Sequence, residues 1–258
     1  MPHPDACRWL PDLRPASGIE LRLFCFPYAG SQASIFQNWR SYFPESISIC
    51  PVHLPGRGSR FRESPIRQFP VLVDAIADAI QCHVNVPFAF FGHSLGSLIA
   101  FEVIHRLQAR RLPLPVHFIA SGCVAPNLVE HFNSNPLSVL PDKELMDRLR
   151  QLNGTPTEII EHAELLSLVL PAVRADFALY ESYRYQSRQP LDCSLTAIGG
   201  LDDPQVNWNH LASWRQQTTG YFSLYQLPGD HFYIHQQEAT LLQLILRKFM
   251  PYTHKVAC

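Results

Sequence analysis

The chain carries no excess of either charge: 21 lysines and arginines stand against 22 aspartates and glutamates, a net charge of −1. A surface that neutralises phosphates needs a basic surplus, so neither nucleic acid nor an anionic membrane is an expected partner. No apolar run approaches the ~20 residues that span a bilayer. Met1 to Pro15 holds prolines and charges where a secretory signal would have its apolar core, so the protein is expected in the cytoplasm. No C-x-x-C pair occurs among the seven cysteines, Cys7, Cys25, Cys50, Cys82, Cys123, Cys193 and Cys258. An odd, scattered set with several members inside apolar runs reads as reduced, mostly buried thiols. Internal repeats, low-complexity tracts and linkers long enough to divide the chain are also missing. What remains is one enzyme-sized domain over residues 1–258, whose 47% hydrophobic content supports a large core. With no long amphipathic or coiled-coil surface, a monomer is expected.

Strand and helix patterns alternate along the chain, which argues for a mostly parallel central sheet with helices on both faces, an α/β fold. Strands are expected at Leu21–Phe26, Ile47–Leu54, Phe88–Gly92, Val116–Ser121, Leu195–Gly199 and Phe222–Leu227. Helical spacing of apolar residues marks Val71–His83 (Leu72, Ile76, Ile80) and Leu98–Leu107. From about 126 to 190 the rhythm breaks: no strand is evident, while Asp142–Leu152 and Thr157–Tyr183 read as helices. Such an insert is expected to form a helical lid; the alternative is that its helices simply pack on the sheet.

Gly92-His93-Ser94-Leu95-Gly96 follows the apolar run Phe88–Phe91 and precedes a helix. That is the context of a nucleophile elbow, where a serine is held in a strained turn at the tip of a strand and glycines two positions away supply room. Ser94 is the candidate nucleophile. A serine attacks an ester or thioester at neutral pH only if a base takes its proton. In sheets of this kind the chain order is serine, acid, histidine, and His231, in the turn Pro228-Gly229-Asp230-His231 past the last strand, fits best. His235 competes but falls inside a helix-like segment, and His93 would point away from its neighbour Ser94. His231 and His235 have the spacing of a metal pair, yet no Glu follows the first and no third ligand suggests itself, so no metal is expected.

The acid should follow the penultimate strand, where Asp202-Asp203-Pro204 offers two carboxylates. Asp203 has the better position for orienting an imidazole. Asp202 remains an alternative, and capping of a following helix is a structural alternative for either. An oxyanion hole needs backbone N–H groups: Leu95, just after the nucleophile, and Ala29 or Tyr28 in the loop after the first strand.

Phe26–Gly30, Leu54-Pro55-Gly56-Arg57-Gly58, Gly92–Gly96, Leu170–Phe177 and Gly229–Tyr233, in that order, resemble the sequence blocks of type II thioesterases, over about Leu21 to Phe249. The resemblance implies an α/β-hydrolase that hydrolyses acyl or aminoacyl thioesters on the phosphopantetheine arm of acyl or peptidyl carrier proteins in nonribosomal peptide and polyketide synthases. It implies a triad of Ser94, Asp203 and His231 and no bound cofactor, phosphopantetheine belonging to the carrier substrate. Ser31 stands where the family usually has a second glycine, and Asp230 where glycine is usual. Asp230 either raises the basicity of His231 or hydrogen-bonds within its turn. Arg57 reads as a solvated or locally paired charge, and Arg174 and Asp176 either meet the pantetheine arm or tie a lid helix to the body, the tie being the favoured reading. Phe132, Phe177, Trp208 and Phe232 are candidates to line an acyl chamber, with plain core as their alternative. Two other functions fit less well: a general acyl-coenzyme A thioesterase or esterase, and a non-catalytic module that binds carriers.

Overall fold

The computed structural model describes residues 6–132, 136–152 and 163–253. Its centre is a six-stranded sheet of β1 (Leu21–Phe26), β2 (Ile47–Pro51), β3 (Phe88–His93), β4 (His117–Ser121), β5 (Ser194–Gly200) and β6 (Phe222–Leu227), parallel throughout, in the order β2-β1-β3-β4-β5-β6. Strands covered on both faces read as continuous apolar runs. Even so, the pleat sorts them: Phe24, Phe26, Phe88 and Phe90 face one core, while Leu21, Leu23, Cys25, Ala89 and Phe91 face the other.

The first core is covered by α1 (Phe69–Ile80) and α2 (Leu95–Ala109), with Leu72, Ile76 and Ile80 facing inward as their spacing predicts. In the insert lie α3 (Asp142–Leu152) and α4 (Ala163–Ser182), which share a small apolar cluster of Leu145, Leu149, Leu166, Leu170 and Val173. Then come α5 (Trp208–Ala212) and, on the second core, α6 (Glu238–Thr253) through Leu241, Leu242, Ile245 and Phe249. The expected helix from Thr157 begins, as described, at Ala163; residues 157–162 lie outside the described set. No helix among the described residues is long and apolar enough to cross a membrane.

β2 is three residues shorter than its apolar pattern suggests. Val52 and Leu54 are buried, but the strand ends at Pro51 with a last bond from the Val52 N–H to the Cys25 carbonyl at 2.9 Å, so these side chains pack in the core from irregular chain rather than from a strand. Cys25, Cys50, Cys123 and Cys193 are free and buried, and Cys82 is free and exposed. Burial pushes the Cys50 thiol up to about 11, the Cys193 thiol to about 12, and the Cys25 and Cys123 thiols upward as well.

Strand order positions the site. From β1 the chain moves outward to β2, then returns to form β3 on the other side of β1, so the loops leaving β1 and β3 diverge and open a crevice at their carboxyl ends. Phe26, the last residue of β1, is in register with Gly92 at the elbow.

At the opposite end of the sheet, His117 is buried, its Nε2 2.8 Å from Thr196 Oγ1. Burial, and secondarily the charge of Lys248, push its imidazole down from 6.5 to about 4. Because the unfolded chain takes up this proton first, the folded state keeps its full stability above pH 6.5 and loses it as pH falls toward about 4. At ~1.4 kcal/mol per pH unit the loss is about 3 kcal/mol. Unfolding free energies of His117→Leu should therefore fall less steeply than those of the parent between these limits. Parallel pH slopes would mean that the imidazole charges in place.

Candidate active site

Ser94 leaves β3 at φ 52° and ψ −121°, outside the region that non-glycine residues ordinarily populate, and α2 begins at the next residue. The turn is held from several sides. Ser94 N–H donates to the Ser121 carbonyl at 2.8 Å, and Ser97 Oγ donates to the Gly92 carbonyl at 2.7 Å. Glycine is required at both flanks: a Cβ on Gly92 would lie 2.4 Å from the Gly96 carbonyl oxygen, and one on Gly96 2.2 Å from that of Phe26. Leu95 N–H opens a 15-residue helix, so it has no intrahelical acceptor and points with the positive end of the helix dipole.

Loops after β5 and β6 bring an acid and a histidine to the same edge. Asp202 N–H donates to the Gly229 carbonyl at 2.9 Å and Leu201 N–H to that of Leu227 at 2.8 Å, which ties the two loops together. Asp203 Oδ2 accepts from His231 Nδ1 at 2.7 Å, and both residues are buried. Its other oxygen accepts the Gln205 N–H at 2.8 Å and the Val206 N–H at 3.1 Å. One carboxylate thus holds the imidazole and closes its own loop, while the helix that follows is capped not by Asp203 but by Asn207, whose side chain accepts the His210 N–H at 3.0 Å. Asp202 is exposed. With the proton fixed on Nδ1 by its carboxylate acceptor, Nε2 of His231 carries a free lone pair.

His231 and Ser94 line one cavity, with Tyr28, Ala29 and Gly30 from the loop after β1. Phe177 and Phe232 line it too, joined by Leu149 of α3, Val173 of α4 and Gln205. These last three were not singled out in the sequence, although Leu149 and Val173 belong to the apolar faces of the insert helices. The volume is about 70 Å³, room for a couple of waters. Trp208 is 53% exposed at the start of α5 and lies outside this lining, and the side chain of Phe132 lies outside the described residues.

The remaining histidines near the site have structural partners. His93 is fully buried with Nδ1 2.8 Å from Ser121 Oγ, which in turn contacts the Tyr233 hydroxyl at 2.5 Å. Burial, and secondarily the charge of His231, hold the His93 imidazole well below its ordinary value. His235 Nε2 meets the Tyr28 hydroxyl at 2.9 Å and anchors the loop that carries Ala29. Asp230 bonds within its turn, Oδ1 accepting the Phe232 N–H at 2.8 Å.

The crevice, the strained serine and the acid–histidine pair define a serine hydrolase of α/β-hydrolase fold. Residues 21–249 match the thioesterase domain family. The chain is 42% identical to the linear gramicidin dehydrogenase LgrE of Brevibacillus parabrevis, over 94% of this chain and 93% of that protein. It is 38% identical to the gramicidin S biosynthesis protein GrsT of Aneurinibacillus migulanus, over 93% of each. The solved structure of BorB, the type II thioesterase from the borrelidin biosynthetic cluster, superposes with a TM-score of 0.85 at 31% identity, covering 95% of this chain and 98% of that one. The chain belongs to the thioesterase family, as a type II thioesterase of nonribosomal peptide and polyketide synthesis.

Proposed function

We propose that this enzyme clears acyl or aminoacyl groups from the phosphopantetheine arm of carrier proteins, with Ser94 as nucleophile, His231 as base and Asp203 as its orienting acid. The observation that carries this reading is the 2.7 Å bond from His231 Nδ1 to Asp203, beside a cavity that His231 and Ser94 share. His231 Nε2 takes the Ser94 proton as Oγ bonds to the thioester carbonyl carbon. The carbonyl electron pair moves onto oxygen, where the Leu95 and Ala29 N–H groups receive it. Collapse breaks the C–S bond, and the pantetheine sulfur leaves as a thiol with the proton from His231. Water, deprotonated by the same nitrogen, attacks the acyl-enzyme. The second collapse releases a carboxylic acid and returns the proton to Ser94. No metal or bound cofactor takes part.

In this reading α3 and α4 act as the lid of a single hydrolase domain, and Leu149, Val173 and Phe177 on its underside meet the acyl group. The protein works as a monomer in the cytoplasm, beside its synthase. The shared arm and carrier surface, rather than any one acyl contact, dominate recognition, because a methylene in an apolar pocket contributes only about 1–3 kcal/mol. The same acyl group should accordingly be hydrolysed with a higher kcat/KM from a carrier protein than from coenzyme A or N-acetylcysteamine. Equal constants for the three would replace this reading with a general thioesterase. A chain that binds acyl-carriers without turnover and resists labelling of Ser94 by a fluorophosphonate would be a binding module.

A further inference from the structure

Asp176 on α4 reaches across the fold to the loop after β1, where its Oδ2 accepts the Gly30 N–H at 2.7 Å. Arg57, in the turn after β2, grips the same carboxylate with both terminal nitrogens: Nη2 donates to Oδ1 at 2.8 Å and Nη1 to Oδ2. Arg57 Nη1 also donates to the Ser31 carbonyl at 3.3 Å. Both side chains are withdrawn from solvent, Arg57 at 8% and Asp176 at 1% exposure. Neither is a solvated surface charge, and Asp176 does more than tie a helix to the body.

A buried ion pair is weak evidence for stability, because desolvation offsets most of the attraction. What this one does is fix peptide orientations beside the cavity. Asp176 takes the Gly30 N–H, and the Tyr28 carbonyl takes the Ser31 N–H at 3.1 Å. With those two amides engaged, the Tyr28 and Ala29 N–H groups are the ones this loop leaves for an oxyanion, and the reading above takes Ala29. Gly30 makes the bend at φ 78°, and a Cβ there would lie 3.2 Å from Val173 of α4. On that helix Val173 and Phe177, either side of Asp176, line the cavity together with Ala29 and Ser94. Arg57 also neutralises charge here. A bare carboxylate next to Gly30 would oppose negative charge developing at Ala29, and the bidentate guanidinium cancels it.

We propose that Asp176, held by Arg57, is a positioning residue that sets the oxyanion loop and locks it to α4, so that the anion site is complete only when the helix over the acyl cavity is seated. This rests on the reading of Ala29 N–H as an oxyanion donor.

The test uses the full chain and a trifluoromethyl ketone, whose adduct with the serine is an oxyanion, against the matching methyl ketone. Arg57→Met/Asp176→Leu removes both charges together and leaves no buried ion unpaired, so it should fold. It should lose about 100-fold of the trifluoromethyl ketone's advantage, with kcat for a short-chain thioester falling in parallel. KM and methyl ketone inhibition should stay within about threefold. Arg57→Met/Asp176→Asn restores a neutral acceptor for the Gly30 N–H and should recover the advantage, which also keeps the test available if the first variant does not fold. A folded Met/Leu variant with the parent's preference, or a Met/Asn variant without it, overturns the positioning role. A parent enzyme that shows no preference overturns instead the oxyanion reading beneath it.

Discussion

Ser94→Ala and His231→Ala should each reduce turnover by about five to six orders of magnitude, and Asp203→Asn by about four, with little change in the melting temperature of the serine variant. The ordering follows from geometry. Without Ser94 there is no acyl acceptor; without His231 its proton has no destination. Asp203→Asn keeps a polar group of the same shape, but an amide facing Nδ1 favours the tautomer with the proton on Nε2, where a lone pair is needed. The same change leaves an oxygen able to accept from the Gln205 and Val206 N–H groups, so the loop should survive. Asp202→Asn, at an exposed side chain, should alter kcat by no more than about twofold. Single-turnover rates on one acyl-carrier substrate decide the matter, and a severe Asp202 effect beside a mild Asp203 effect would move the acid by one residue.

The second large effect is expected on folding. Gly96→Ala would put a methyl 2.2 Å from the Phe26 carbonyl oxygen and 2.7 Å from that of Pro27. Both atoms are backbone, and Phe26 is paired with Gly92 in the ladder between β1 and β3, so its carbonyl cannot move without parting these two strands. Overpacking against flexible side chains costs about 1–3 kcal/mol, and here no side chain can yield, so about 3 kcal/mol or more should be lost. Urea unfolding would read this as a lower midpoint at unchanged slope. A variant with the parent's midpoint would show that the elbow can lift off the end of β1.

Features set by local chemistry were legible in the sequence, and features set by distant contacts were not. Ser94 could be read because the elbow announces itself within five residues, glycines included. The parallel sheet could be read because apolar runs of strand length alternate with helical spacing along the chain. Val52 and Leu54 extended one strand too far because an apolar pattern reports burial, and burial continues past Pro51 into chain that is no longer strand. Asp203 posed a choice between capping and catalysis that a sequence cannot close, since it does not say where each oxygen points. Arg57 and Asp176 lie 119 positions apart and looked like ordinary charges until the fold put one against the other. Trp208 was drawn toward the cavity by its aromatic character alone, and its 53% exposure shows how little residue type decides about direction.

The buried cysteines bear on a hazard peculiar to thioester chemistry. Any thiolate within reach of a thioester can take the acyl group by exchange, turning a hydrolase into a carrier that holds what it should release. A thiol at about 11, as for Cys50, is ionised in only about one molecule in ten thousand at neutral pH, and Cys25, Cys123 and Cys193 are likewise buried and shifted upward. None of the four lines the cavity at Ser94. Among the described thiols only Cys82 meets solvent, so an acyl group arriving in the cavity at Ser94 finds an acceptor oxygen and none of these sulfurs beside it.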